Sequence, residues 1–254
     1  MRILISNDDG IHAPGLVILE QLAAMLSSDI WVVAPEIERS GASRALTLTE
    51  PVRVRALGER RFACSGTPSD CILLGVDELI VGCKPDLILS GVNRGQNIAE
   101  DTSVSGTIAA AVQGMQMGIP AIALSQAMNV RAGKDIPWHT ALAHGGAVLK
   151  QLLATQWRDG VVMNVNFPDC EPEEVTAIEA TYQGFRDETI HHIDRRHDLR
   201  GNDYFWIGYR TKPSRPPLGS DLLAIDEKRI SVTPLQIDMT DPTTLAKLKG
   251  VFSR

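Results

Sequence analysis

Short unbroken runs of Ile, Leu, Val and Ala recur along the first two thirds of the chain, each stopped by a Gly, Pro, Asn or Asp cluster. Between them lie stretches whose apolar residues fall three and four apart. Residues 2–6 are too few for a helix and run into Asn7-Asp8-Asp9-Gly10, which predicts a buried strand ending in a turn. From Pro14, the positions Leu16, Leu19, Leu22, Ala23 and Leu26 keep helical spacing with proline at the entry. Ile30-Trp31-Val32-Val33-Ala34-Pro35 is a second strand and closes a βαβ unit. The spacing further predicts a strand over 45–55, a helix over 68–79, a strand over 86–90 and a Gly-rich loop. A helix over 108–117, a strand over 121–124, a helix over 137–154 and a strand over 161–166 follow, with Gly118 and Pro120 marking a helix end and a strand start. Strand runs without polar alternation belong to a sheet covered on both faces. The expected fold is therefore α/β, a three-layer Rossmann-like arrangement around a mostly parallel central sheet.

The texture changes beyond Pro172. Residues 185–217 crowd Arg186, Asp187, Glu188, His191, His192, Asp194, Arg195, Arg196, His197, Asp198 and Arg200 ahead of Tyr204, Phe205, Trp206 and Tyr209. A polar segment beside an aromatic strand predicts a projecting hairpin, and the segment 228–254 closes the chain. The 254 residues suit one α/β domain with this appendage. With 44% hydrophobic and 22% charged residues the chain is not disordered, and a net charge of −6 argues against DNA, RNA or anionic lipid as its partner. No apolar run approaches the ~18 to 20 residues that span a bilayer. The N-terminal apolar stretch is also too short for a signal peptide, so a cytoplasmic protein is expected. Cys64, Cys71, Cys83 and Cys170 form no C-x-x-C pair and read as reduced structural thiols.

In an open parallel sheet, ligands bind beyond the carboxyl ends of the strands. That rule selects Asp8 and Asp9 after the first strand, Ser40 after the second, and Asn93 and Asn97 after Leu89. All are oxygen donors, a hard set suited to Mg²⁺, Mn²⁺ or Ca²⁺ rather than zinc. Two carboxylates ~4 Å apart repel by about 4 kcal/mol at an effective dielectric of ~20, a cost that a divalent cation removes. The bland alternative for Asn7-Asp8-Asp9-Gly10 is a turn in which Asp caps a helix. Ser105-Gly106-Thr107 opens the helix at 108–117 and offers an anion cradle; its bland alternative is an ordinary N-cap. His12 could act as a general acid, although a lone loop histidine is more often merely exposed. His191, His192 and His197 read better as a solvated hairpin face than as metal ligands. Neither G-x-G-x-x-G nor G-x-x-x-x-G-K-[ST] occurs, which removes dinucleotide and P-loop readings.

Taken together, Ile5-Ser6-Asn7-Asp8-Asp9-Gly10-Ile11-His12-Ala13-Pro14-Gly15, Val33-Ala34-Pro35, Glu38-Arg39-Ser40-Gly41-Ala42-Ser43, Gly66-Thr67-Pro68-Ser69-Asp70-Cys71, Ser90-Gly91-Val92-Asn93-Arg94-Gly95 and Ser105-Gly106-Thr107 resemble the SurE family of survival-protein nucleotidases. Asn164-Val165-Asn166-Phe167-Pro168 and Ser231-Val232-Thr233-Pro234-Leu235 resemble later segments of that family, so the likeness spans nearly the whole chain. It implies a phosphomonoesterase acting on nucleoside 5′- and 3′-monophosphates, extending to short polyphosphate, with one divalent ion per subunit held by Asp8, Asp9, Ser40 and Asn93. The ion would be Mg²⁺ or Mn²⁺, with Ca²⁺ a substitute in crystals. It also implies a homodimer or homotetramer that uses the hairpin arm and the 228–254 segment. The expected chemistry is direct in-line attack by a metal-activated water that Asp8 or Asp9 orients or deprotonates, with Asn97, Ser105, Gly106 and Thr107 holding the phosphate. Two departures stand out: Gln96 where the family commonly has proline, and Gln236 where it often has histidine. The alternatives are a metal-dependent nucleotide sensor without turnover and a haloacid-dehalogenase-like phosphatase. The latter uses an aspartyl-phosphate but wants Asp-x-Asp, whereas here the pair is adjacent.

Overall fold

Ile3, Leu4 and Ile5 are all fully buried, although successive strand residues point to opposite faces. β1 (Arg2–Ser6) must therefore be covered on both sides, and the computed structural model, which describes residues 1–128, 135–187, 191–209 and 215–252, has helices there. α1 (Pro14–Ala24) and α4 (Trp138–Ala154) lie on one face, where Leu16, Leu19, Leu22, Val148 and Leu149 pack against Ile3, Ile5, Leu87 and Leu89. α2 (Pro68–Leu74) and α3 (Gly106–Gln116) lie on the other, where Ile72, Ile108, Ala110, Ala111 and Val112 meet Leu4, Val33 and Ile88. The two apolar sets alternate along the same strands, and this makes three layers out of continuous apolar runs.

The remaining strands of the main sheet are β2 (Asp29–Pro35), β3 (Val54–Gly58), β4 (Arg61–Cys64), β5 (Leu87–Arg94), β6 (Ala121–Gln126), β7 (Val162–Phe167), β8 (Ala177–Ala180) and β11 (Arg229–Leu235). Their order is β3-β4-β2-β1-β5-β6-β7-β11-β8. From β4 to β7 every pairing is parallel; β3 and β11 run antiparallel to β4 and β7. The mostly parallel three-layer sheet expected from the sequence is what the chain forms. Helix starts follow local chemistry. Pro68 opens α2 behind a reciprocal cap between Thr67 and Asp70, and the Ser105 hydroxyl accepts the Ile108 N–H at 3.1 Å to cap α3.

Three expectations shift. The strand expected over 45–55 begins only at Val54, because the Thr47 N–H and hydroxyl go to the Asp70 carboxylate (3.1 and 2.6 Å) and Ala45 O accepts from Thr67. Side chains at the α2 entry thus take the bonds that a neighbouring strand would need. The helix expected over 68–79 ends at Leu74 and continues as a wider π-helical turn, Gly75–Leu79. The strand expected to stop at 90 runs on to Arg94, so Asn93 stands on β5 itself.

The charged and aromatic segment forms β9 (His191–His197) and β10 (Asp203–Tyr209), an antiparallel pair outside the main sheet. His197 Nδ1 lies 2.7 Å from Asp203 Oδ1, in keeping with a charged hairpin face. Residues 188–190 and 210–214 of the segment, with 253–254 at the end of the chain, lie outside the described residues. The short α5 (Asp221–Asp226) precedes β11, and α6 (Pro242–Phe252) buries none of its residues. Among the described residues no helix is long and apolar enough to cross a membrane. The four cysteines are free: Cys64, Cys71 and Cys170 are buried and Cys83 is exposed.

Candidate active site

The carboxyl ends of β1, β2 and β5 converge on one edge of the sheet. Asn7 closes the turn after β1, its side chain accepting the Gly10 N–H and donating to the Gly10 carbonyl. This leaves Asp8 buried and Asp9 half-buried at the strand end. The Arg39 N–H donates to the Asp8 carbonyl at 2.8 Å and brings the loop after β2 alongside, with Ser40 exposed next to that contact. The Ser40 hydroxyl donates to Glu38 Oε1 at 2.8 Å. From β5, the Arg94 N–H donates to Asp9 Oδ2 at 3.0 Å, and Asn93 Nδ2 donates to Gly95 O at 2.8 Å, which keeps Oδ1 as the Asn93 acceptor.

The N-terminus of α3 completes the cluster. The Thr107 hydroxyl donates to Asp8 Oδ1. Gly106 packs so closely that a Cβ there would lie 2.7 Å from Asp8 Cβ and 2.9 Å from Asp8 Oδ2, so only glycine fits. The Gly106 and Thr107 N–H groups belong to the first helical turn and have no intrahelical acceptor, a position that favours negative charge. Asn97 is buried nearby: its N–H donates to Asn166 Oδ1 (2.8 Å), its carbonyl accepts from Asn164 and Asn166, and its Nδ2 donates to Ser125 Oγ (2.9 Å).

Burial pushes the Asp8 carboxyl up to about 6, with the Asp9 and Glu38 charges adding to the rise and the Thr107 bond opposing it. Burial also raises Asp9, against the pull of the Arg94 N–H and guanidinium. Adjacent carboxylates, one buried and one half-buried, with a hydroxyl and an amide oxygen at hand and no thiol or imidazole, fit a hard divalent cation. Among the described residues no group of three His, Cys, Asp or Glu side chains makes a metal site, so any cation here would rely on the neutral Ser40 and Asn93 oxygens as well.

Of the sequence-selected residues, Asp8 meets Gly106 and Thr107 directly, with Asp9 and Ser105 adjacent in the chain; Ser40 and Asn93 reach this edge through the contacts of their neighbours Arg39 and Arg94, and Asn97 is held farther along it by Ser125, Asn164 and Asn166. His12 lies exposed in the turn before α1. Gln96 Oε1 accepts the Met128 N–H at 3.3 Å, and Gln236 bonds to Arg158. Gln236 follows Leu235, which pairs with Val162 at the start of β7, so it sits at the opposite edge of the sheet and its difference from histidine does not touch this cluster. Sequence reasoning missed Glu38 and Arg94 beside the carboxylates, and Ser125, Asn164 and Asn166 behind Asn97. The alternation of Asn164 and Asn166 inside an apolar strand was the available signal for the last two.

A family model described as survival protein SurE matches residues 3–189. A protein of Caulobacter vibrioides named 5′-nucleotidase SurE is 58% identical over 253 residues, covering 99% of this chain and 96% of its own. One of Hyphomonas neptunium with the same name is 57% identical over 249 residues, covering 98% of each chain. The crystal structure of the SurE protein from Aquifex aeolicus superposes with a TM-score of 0.83 at 31% identity, covering 99% of both chains. With matching sequence along almost its full length and a matching fold, the chain belongs to the SurE family.

Proposed function

We propose that the chain is a 5′-nucleotidase, a phosphoric monoester hydrolase that cleaves nucleoside monophosphates to nucleoside and phosphate. We extend the reading to 3′-monophosphates and short polyphosphate, to dependence on one Mg²⁺ or Mn²⁺ per subunit, and to a homo-oligomer in the cytoplasm, whose reducing conditions suit four free cysteines. The observation that carries it is the meeting of two adjacent carboxylates, Asp8 buried and Asp9 half-buried, with the N-terminus of α3, joined by the Thr107 bond to Asp8. Relatives over 50% identical and named 5′-nucleotidase SurE support it.

A divalent cation on Asp8, Asp9, Ser40 and Asn93 would supply a Lewis acid for the phosphoryl oxygens and a lowered pKa for the attacking water. The chain's own residues do the rest. The Gly106 and Thr107 N–H groups receive phosphate oxygens as charge builds in the in-line displacement. Asn97, anchored on Asn164 and Asn166, is the further residue we assign to phosphate binding. We assign the orienting or deprotonation of water to Asp9, which is less buried, because Asp8 is tied to Thr107. Phosphate release from AMP is the test: activity with Mn²⁺ or Mg²⁺ that disappears in EDTA, with ¹⁸O from labelled water found in phosphate. Tight AMP binding without release would mean a nucleotide sensor, and a trapped aspartyl-phosphate on Asp8 would mean covalent catalysis.

A further inference from the structure

The loop that joins Asn97 to the N-terminus of α3 contains a residue in a conformation its side chain does not favour. Ala99, fully buried, opens the 3-10 turn Ala99–Ser103 at φ +52°, left-handed backbone that suits glycine better than alanine. Both of its backbone polar groups are held by side chains. Its N–H donates to Asp221 Oδ2 at 2.9 Å, and its carbonyl accepts from Gln183 Nε2 at 3.0 Å and Thr102 Oγ1 at 2.9 Å.

Asp221 is itself fully buried at the start of α5, and its other oxygen accepts the Gly184 and Leu222 N–H groups, each at 2.8 Å. Arg186 then closes over the next two residues: Nη2 donates to Asp101 Oδ2 at 2.6 Å and the backbone N–H to Glu100 Oε2 at 3.3 Å. The far end of the loop is fixed from another side, where the Ser43 N–H and hydroxyl donate to the carbonyls of Val104 (3.2 Å) and Ser103 (2.8 Å). Two residues before Ala99 stands Asn97, and six after it Ser105 begins the anion cradle.

We infer that Asp221 is a positioning residue for the phosphate cradle: it holds Ala99 in the left-handed conformation and thereby fixes the path of the loop that joins Asn97 to Gly106 and Thr107. An acceptor-only carboxylate is suited to this task, because it takes N–H groups from two separate segments at once. An Asn there would turn its own NH₂ toward one of them. The inference rests on the nucleotidase reading for its kinetic consequence but not for its geometry.

Asp221→Asn and Ala99→Gly, singly and together, are assayed for AMP hydrolysis with Mn²⁺ and titrated with inorganic phosphate by calorimetry in the Mn²⁺-supplemented protein. Asp221→Asn should lower kcat/KM at least tenfold and weaken phosphate binding in the wild-type background. In the Ala99→Gly background it should cost less than threefold, because glycine takes the conformation without the clamp. A purely structural Asp221 would cost the same in both backgrounds, and that result, or a fully active Asp221→Asn, overturns the inference. If Asp221→Asn does not fold by circular dichroism, Gln183→Met removes only a bond to the Ala99 carbonyl. About threefold weaker phosphate binding, again relieved by Ala99→Gly, is expected; unchanged binding overturns the inference. A wild type that hydrolyses no nucleotide defeats the nucleotidase reading alone, since the phosphate titration still decides the clamp. A wild type that also binds no phosphate defeats both.

Discussion

Burial dominates the Asp8 carboxyl and lifts it from 3.8 to about 6, while Asp9 adds repulsion and the Thr107 hydroxyl offsets part of the rise. Without a cation, native Asp8 therefore holds its proton more tightly than the unfolded chain does. The Asp8 contribution to stability therefore falls as pH rises from about 4 to about 6 and stays low above that, since the slope follows the proton difference between the two states. A shift of this size corresponds to about 3 kcal/mol. In EDTA, Asp8→Asn should consequently melt above the wild type at pH 7, with the gap closing by pH 4; equal melting at pH 7 would mean that Asp8 is not strained by its surroundings. The same substitution removes a ligand charge. Mn²⁺ at ~100 times its Kd adds about 2.7 kcal/mol to a protein that binds it only when folded, so the metal-induced rise in Tm should be large in the wild type and small in Asp8→Asn.

Elements meet at the site because one helix comes unusually close to one strand. Gly15 is the second residue of α1, and a Cβ there would lie 1.9 Å from the Val92 carbonyl oxygen, a backbone atom with no rotamer to escape into. Gly15→Ala must push α1 off β5 beside Asn93, and overpacking of this kind costs about 1 to 3 kcal/mol. At roughly 2 to 4 °C per kcal/mol for a chain of this size, Tm should fall by up to about 12 °C and AMP hydrolysis with it. Gly58→Ala, where the nearest atom is 3.8 Å away, should change neither. The units β1–α1–β2 and β5–α3–β6 were legible in the sequence because buried strands read as unbroken apolar runs and the helices between them keep their spacing. The Asp8–Asp9 end of β1 was legible for the same reason, as polar residues placed where such a run must stop. β4 was not: Arg61-Phe62-Ala63-Cys64 is too short to show a period, and the extended stretch before β3 is governed by Asp70, which lies outside any local window. The bonds of Asn97 to Asn164 and Asn166 and of Ala99 to Asp221 were also hidden, since they join residues 67, 69 and 122 positions apart, and spacing rules carry no information at that range.

At the scale of the whole molecule, two elements lack what they need to stand alone. α6 is an 11-residue helix with no buried residue, and isolated helices shorter than ~12 to 15 residues are marginal in water. Its Leu248, Val251 and Phe252 are exposed, Phe252 by 77%. β9 and β10 form a two-stranded sheet, also marginal by itself, and both of its faces carry apolar groups: Trp206 on one, Phe205 and Ile207 on the other, at 61, 56 and 77% exposure. Exposed apolar surface of this kind marks an interaction site, and a second copy of the chain is the partner that the SurE resemblance implies. Covering both elements at once would supply packing that neither shows among the described residues. Light scattering at micromolar concentration should give at least the mass of a dimer, and Tm should rise with protein concentration, because association binds only the folded state. Phe205→Asp combined with Ile207→Asp should lower the mass and remove that concentration dependence. A wild-type monomer at micromolar concentration with full activity on AMP would show instead that the hairpin and α6 hold their shape without a partner, and that the arm has no part in assembling the enzyme.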